Sequence, residues 1–209
     1  MKQFVVAGIG TEIGKTFISA ILTQALEADY WKPVQAGNLD FTDTDFVREH
    51  ISNANSVCHP EGYRFIAPMS PHAAAAAEGI RIDLNKLAIS ETTNHLIIEL
   101  AGGLMVPLNE QQLNTDLIRM WDIPVILVSR NYLGSINHTL LSAEVLKQHG
   151  LNVAGIIFNG EANRVTEDFI TQYTRLPCLA KVLPEKTINT ESVTRLADEL
   201  GDSLKQYLL

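Results

Sequence analysis

The stretch Gly8-Ile9-Gly10-Thr11-Glu12-Ile13-Gly14-Lys15-Thr16 follows the apolar run Phe4-Val5-Val6-Ala7 and opens a helical pattern. A strand, a glycine-rich loop ending in Gly-Lys-Thr and then a helix leave few folds open. The glycines let successive backbone N–H groups turn toward one anion, and the helix points its positive dipole end at it. Lys15 adds an ammonium and Thr16 a metal-ligating hydroxyl, so the nest fits the polyphosphate of a nucleotide. A plain strand-to-helix turn is the bland alternative. The motif starts at a strand end and opens a helix as its mechanism requires, which argues against that alternative. In Gly-x4-Gly-Lys-Thr spacing the first glycine would fall at Ile9; the first useful glycine is Gly8, and the loop is one residue longer. Position 10 lacks the second lysine carried by partition-type ATPases.

A chain of 209 residues can bury roughly 70% of its unfolded surface, and residues 1–209 are read as one α/β domain. The net charge of -8 argues against nucleic acid, which wants a basic stripe. It leaves phosphate ligands open, because those are handled locally. The first residues show no positive region followed by an apolar run and a small-residue cleavage site. No apolar stretch approaches the roughly 18 residues of a membrane span, so a cytoplasmic, membrane-free protein is expected. Cys58 and Cys178 lack metal-type spacing and read as idle thiols in a reducing compartment.

Short apolar runs alternate with helical patterns. Phe4–Ala7, His95–Glu99, Val125–Ser129, Val153–Phe158 and Leu179–Val182 read as strands, continuously apolar as parallel strands covered on both faces are. Thr16–Ala28, Leu113–Trp121, Ser135–His149, Val165–Tyr173 and Glu191–Tyr207 read as helices, and Ala73–Ala77 as a short helix packed closely on a neighbour. The expected fold is a doubly wound, mostly parallel sheet with helices on both faces, with ligands beyond the carboxyl ends of the strands.

Further polar residues fall at those ends. Lys32 closes the apolar segment of Tyr30-Trp31-Lys32-Pro33-Val34-Gln35-Ala36-Gly37, and Pro33 biases it away from helix. A lysine placed there points at the ligand crevice; a snorkelling surface lysine is the alternative. Asp40, Asp43 and Asp45 share a short polar loop, and Glu99 ends a strand before Leu100-Ala101-Gly102-Gly103. Mg²⁺ takes hard oxygen ligands and keeps several waters, so Thr16, one aspartate and Glu99 would suffice beside nucleotide phosphates. The six histidines show no pair on one helix face with a third ligand, and a histidine metal centre is not expected. The tryptophans and phenylalanines read as core rather than as a base-stacking platform.

Taken together these residues resemble the dethiobiotin synthetases. The family loop Gly-Thr-x-Thr-x-x-Gly-Lys-Thr has the extended spacing of Gly8 to Thr16. Its Tyr-Lys-Pro-Val-x-x-Gly resembles Trp31 to Gly37, its Ser-Pro-His resembles Ser70-Pro71-His72, and its Glu-Gly-Ala-Gly-Gly resembles Glu99 to Gly103. Its Leu-Gly-x-Ile-Asn-His matches Leu133 to His138, before an Asn-containing strand end like Asn159-Gly160. The matches run in order over most of the chain.

The resemblance implies an ATP-dependent enzyme that closes a ureido ring on 7,8-diaminopelargonic acid with CO₂, Mg²⁺ and ATP, through a carbamate and a carbamic-phosphoric anhydride. In that reading Lys15 and Lys32 are catalytic, on the phosphates and on the carbamate with the transferring phosphoryl group. The nucleotide would contact Glu12, Ile13, Gly14, Lys15, Thr16, Phe17, Asp45, Glu99, Leu100, Ala101, Gly102 and Gly160. Asn159 would read the adenine edge, and Leu183, Pro184 and Glu185 would pack near the base. Mg²⁺ would sit on Thr16, Asp45 and Glu99. Asp45 is favoured over its rival Asp43 because the pattern Phe46-Val47-x-x-His50-Ile51 begins straight after it. Ala36 and Ser70 would face the substrate, Ala36 standing where many members carry serine; Leu100 replaces a family glycine. Ser135, Ile136 and Asn137 would hold the substrate carboxylate at a helix start, across the boundary of a homodimer. Two competitors remain: a cobyrinate-type amide-forming synthase, opposed by the small size and the lack of a glutaminase cysteine, and a partition-type ATPase switch, opposed by the missing lysine at position 10.

Overall fold

The computed structural model describes residues 1–89 and 91–209. Seven parallel strands form the main sheet in the order β4-β2-β6-β1-β7-β8-β9. They are β1 (Gln3–Gly8), β2 (Asp29–Trp31), β4 (Cys58–His59), β6 (Leu96–Gly103), β7 (Val125–Arg130), β8 (Val153–Asn159) and β9 (Cys178–Val182). A second, two-stranded parallel sheet pairs β3 (Val34–Ala36) with β5 (Tyr63–Phe65). The helices are α1 (Lys15–Leu26), α2 (Asp43–His50), α3 (Pro71–Ala77), α4 (Asn114–Trp121), α5 (Ser135–Gln148), α6 (Arg164–Thr174) and α7 (Thr190–Leu208).

Alternation along the strands divides the core in two. Phe4, Val6, Ile97, Ile126, Val128 and Ile157 face one layer with α1, Val47 of α2 and α7. Val5, Ala7, Leu96, Ile98, Val125 and Leu127 face the other, against α3 to α6. Both faces of each central strand are therefore apolar, which is why those segments carry no alternation in the sequence. The five expected strands and five long helices are all present, and Ala74 and Ala75 of α3 are buried as close packing needs.

Two boundaries differ. β6 runs on through Glu99 to Gly103 because β1 continues to pair with it, Gly8 lying opposite Gly103. α2 begins at Asp43 rather than after Asp45. Thr42 is its N-cap and accepts from the Asp45 backbone N–H, while the Asp45 carboxylate accepts from the Thr42 N–H, a capping box that starts the helix at Asp43 instead of Phe46. Four strands of two or three residues, β2 to β5, are too short for periodicity to reveal.

Candidate active site

The loop after β1 wraps back onto the start of α1. Gly14 adopts φ 87° as the α1 N-cap, and a Cβ there would collide with the Asn159 side-chain nitrogen, so only glycine fits. That nitrogen donates to the Ile13 carbonyl at 2.7 Å, tying the end of β8 to the loop. Ile9 donates its N–H to Val128 O at 3.1 Å and packs its side chain against both core layers. The residue that lengthens the motif thus extends the strand and leaves the phosphate face to its neighbours. The buried Lys15 ammonium donates to Gly10 O at 2.9 Å. Burial lowers its pKa to about 8, and the positive Lys32 adds to the effect against Glu99 and Asp43.

Glu99 is the hub of the site. Tyr30 and Lys32 lie two residues apart on and just after β2, so they share a face, and parallel pairing with β6 puts Glu99 on that same α1 side. Glu99 Oε1 accepts from Thr16 Oγ1 at 2.9 Å and from Lys32 Nζ at 3.2 Å, and Oε2 accepts from the Tyr30 hydroxyl at 2.9 Å. Glu99 is only 1% exposed and Lys32 4%. Lys32 also forms an ion pair with Asp43, the first residue of α2. Burial alone would lower the Lys32 pKa; the two carboxylates outweigh it and hold the ammonium above its ordinary value.

Around this hub lies a cleft of about 1130 Å³ at the carboxyl ends of the strands, roomy for more than one small ligand. One end is walled by the phosphate loop, Asn159, Gly160, Leu183, Pro184 and Glu185; the other by Lys32, Ala36, Asp43, Pro68, Met69 and Ser70. No cluster of three or more His, Cys, Asp and Glu suited to a metal occurs among the described residues. The oxygens of Thr16, Glu99 and Asp43, all lining the cleft, are instead the sparse, hard donor set that suits Mg²⁺ shared with phosphate and water.

A family model described as an AAA domain matches residues 2–192. The ATP-dependent dethiobiotin synthetase BioD of Cytophaga hutchinsonii is 48% identical over 97% of this chain and 98% of its own length. The same enzyme of Christiangramia forsetii is 46% identical over 97% and 98%. The chain belongs to the dethiobiotin synthetase family. A plasmid partition protein of Borrelia burgdorferi solved with AMPPNP superposes with a TM-score of 0.61, covering 99% of both chains at 10% identity, so the two share a fold.

Most residues singled out from the synthetase motifs meet at the cleft: Glu12, Gly14, Lys15, Thr16, Phe17, Lys32, Ala36, Ser70, Glu99, Ala101, Gly102, Asn159, Gly160, Leu183, Pro184 and Glu185 line it. Others do not. Asp45 turns away: its carboxylate accepts from Thr42 N at 3.0 Å and Thr42 Oγ1 at 2.8 Å and pairs with Arg48 at 2.6 Å. The capping box claims it, and Asp43 is the aspartate that reaches the cleft. Leu100 is buried in the α3-to-α6 core layer, and Ile13 is buried and meets Asn159 through its carbonyl. Ser135, Ile136 and Asn137 lie off the cleft, at the start of α5 next to a separate depression of about 410 Å³ lined by residues such as Met105, His138 and Leu141.

Two cleft residues, Arg130 and Asn131, and one beside the cleft, Asn114, carry no motif. Arg130, at the end of β7, donates to Glu12 O at 3.0 Å and so braces a residue whose φ is 56°. Asn131 lines the wall and is held by the buried Glu167 at 2.7 Å. Asn114 donates to Ala101 O at 2.9 Å and Gly103 O at 2.8 Å, clamping the glycine-rich end of β6 from α4. Arg130 and Asn131 directly follow the run ending at Ser129, the one cue in the sequence; Asn114 has no such cue.

Proposed function

We propose that the chain makes dethiobiotin from 7,8-diaminopelargonic acid, CO₂ and ATP, with residues 1–209 acting as one synthetase domain. Near-full-length identity of 48% to a named dethiobiotin synthetase supports the activity. The observation that carries the chemistry is the buried Lys32 ammonium, held by Glu99 and Asp43 in the cleft that the phosphate loop walls.

One substrate amine adds to CO₂ and loses a proton, giving a carbamate. A carbamate oxygen then attacks the γ-phosphorus as ADP leaves, and the second amine attacks the carbonyl carbon of the anhydride, expelling phosphate and closing the ring. Both reactants of the phosphoryl step are anions, so fixed cations are the main demand on the protein. Lys15 and the N–H groups of the loop hold the phosphates. Lys32 bridges carbamate and transferring phosphoryl group, and its ion pairs hold it in place and protonated. Thr16, Glu99 and Asp43 would hold Mg²⁺, which when bound neutralises charge on the phosphates. Asp43 takes the role expected of Asp45, because only Asp43 lines the cleft. Asn159 reads the base edge, with Leu183, Pro184 and Glu185 beside it.

A second copy of the chain completes the substrate end. Leu133 is 103% exposed, and Met105 and Leu141 are exposed around the depression beside α5. An apolar surface of this kind wants a partner. In a homodimer the α5 start of one protomer, with the backbone N–H groups of Ile136 and Asn137, would meet the substrate carboxylate in the other.

Incubation with the diamine, labelled bicarbonate and MgATP tests the reading. An acid-stable labelled ureido product with one ADP per turnover is expected. ATP hydrolysis with no acid-stable label overturns it.

A further inference from the structure

We propose that Tyr30 is a positioning residue for the metal end of the site: its hydroxyl fixes the Glu99 carboxylate so that Oε1 alone is presented to Thr16 and Lys32. The inference rests on the reading that Glu99 faces Mg²⁺. The two oxygens of Glu99 have divided roles. Oε2 accepts from the Tyr30 hydroxyl at 2.9 Å, whereas Oε1 accepts from Thr16 at 2.9 Å and from Lys32 at 3.2 Å.

Tyr30 is fully buried on β2, between β4 and β6, in the core layer of α1, α2 and α7. A phenylalanine would fill the same space. A buried phenol O–H needs a hydrogen-bond partner, and the partner it has is Glu99. Packing at interior density leaves the ring no room to swing away. The terminal torsion of a glutamate is broad and roughly two-fold, so an untethered carboxylate could turn both oxygens toward Lys32. The hydroxyl removes that freedom. The spacing and motifs of the sequence single out Lys32 but not the residue two before it, because the Tyr30 contact exists only once β2 and β6 pair.

Outer-shell partners of metal-binding carboxylates typically cost ten- to a hundredfold in metal affinity when removed. The test is Tyr30→Phe beside Glu99→Gln, with ADP binding measured by calorimetry with and without Mg²⁺, and Mn²⁺ bound to the ADP complex counted by electron paramagnetic resonance. Tyr30→Phe is expected to leave metal-free ADP affinity within about twofold and to raise the Mg²⁺ and Mn²⁺ half-saturation roughly tenfold. A lower melting temperature with unchanged metal dependence makes Tyr30 a mere core residue and overturns the proposal. If Glu99→Gln abolishes the metal effect while Tyr30→Phe keeps it, Tyr30 fails alone. If Glu99→Gln keeps it, the metal reading of Glu99 fails and this inference with it. Should Tyr30→Phe not fold, 3-fluorotyrosine placed at position 30 keeps the hydroxyl. Its fluorine resonance is expected to shift with MgADP and not with ADP alone; no difference between the two overturns the proposal.

Discussion

The carboxylate of Asp43 meets the buried ammonium of Lys32 directly, at the first residue of the helix that Thr42 caps. Two residues on, Asp45 holds the cap itself. Neighbouring acids of one loop therefore have separate roles, one electrostatic and one conformational. Asp43→Asn should raise the Mg²⁺ requirement of turnover roughly tenfold or more, with the fold intact. Asp45→Asn should leave that requirement unchanged and destabilise the protein by about 1 kcal/mol through loss of the cap. Mg²⁺ titrations of initial rate and thermal melts on both variants check this; a larger metal effect at Asp45 reverses the assignment.

Lys15→Ala removes the ammonium of the phosphate loop. A loss of about 3 kcal/mol of transition-state stabilisation, or on the order of a hundredfold in kcat/KM, is expected. Near-normal turnover would remove the loop from the site.

For Lys32→Gln the two halves of the reaction should separate. Nucleotide affinity stays within a few fold, because Lys15 and the loop bind the phosphates, while product formation falls strongly. Calorimetry and turnover on the same preparation decide it, and weakened nucleotide binding with no further defect would demote Lys32 to a phosphate contact. The variant also leaves Glu99 and Asp43 without their shared cation, so its melting temperature belongs in the comparison.

Away from the cleft, Asp29 ties β2 to the segments around it. It accepts from the Val57 N–H at 2.9 Å, Asn94 at 2.9 Å and Thr92 at 2.6 Å, and pairs with His59 at 3.0 Å. Burial by itself would raise its pKa, but these donors outweigh it and hold the carboxyl below its ordinary value. A folded pKa below the unfolded one stabilises the protein above the usual carboxylate range of about 4, and that stability is lost as pH falls through the lower folded value. Asp29→Asn should be roughly 1 to 2 kcal/mol less stable at pH 7. The gap to the parent should close as pH falls below about 4. Urea midpoints across pH 7 to 3 measure it; a gap independent of pH would contradict the carboxylate's role.

Asn137→Ala should raise the KM for the diamine and leave that for ATP unchanged, since Asn137 does not line the cleft of its own chain. Sedimentation should show a dimer at assay concentration. An active monomer, or an unchanged diamine KM, would sink the shared-site reading and leave the nucleotide end intact.

Elements with many residues of one pattern were legible in the sequence. β1, β7 and β8 are unbroken apolar runs, and α1 follows its loop at once, so the doubly wound sheet could be read from order alone. The glycines and lysine of the phosphate loop were equally plain, because a turn that must expose N–H groups to an anion admits few residues. What escaped was short or shared. The three residues of β2 are strand only because β4 and β6 flank them. Asp45 looked like a residue preceding a helix because a capping box places its acid inside the first turn, where apolar periodicity has not yet begun.

Local chemistry along the chain thus determined where the glycine-rich loop and the central strands run and which lysines face the crevice. Backbone dihedrals, dipoles and apolar runs act over a few neighbours, and they are written in consecutive residues. Only the tertiary structure decided that Asp43 rather than Asp45 joins Lys32, that Tyr30 reaches Glu99 across 69 residues, and that Arg130 braces Glu12 across 118. Those choices depend on strand order and on competition between partners for the same hydrogen bonds, and both arise only when distant segments pack.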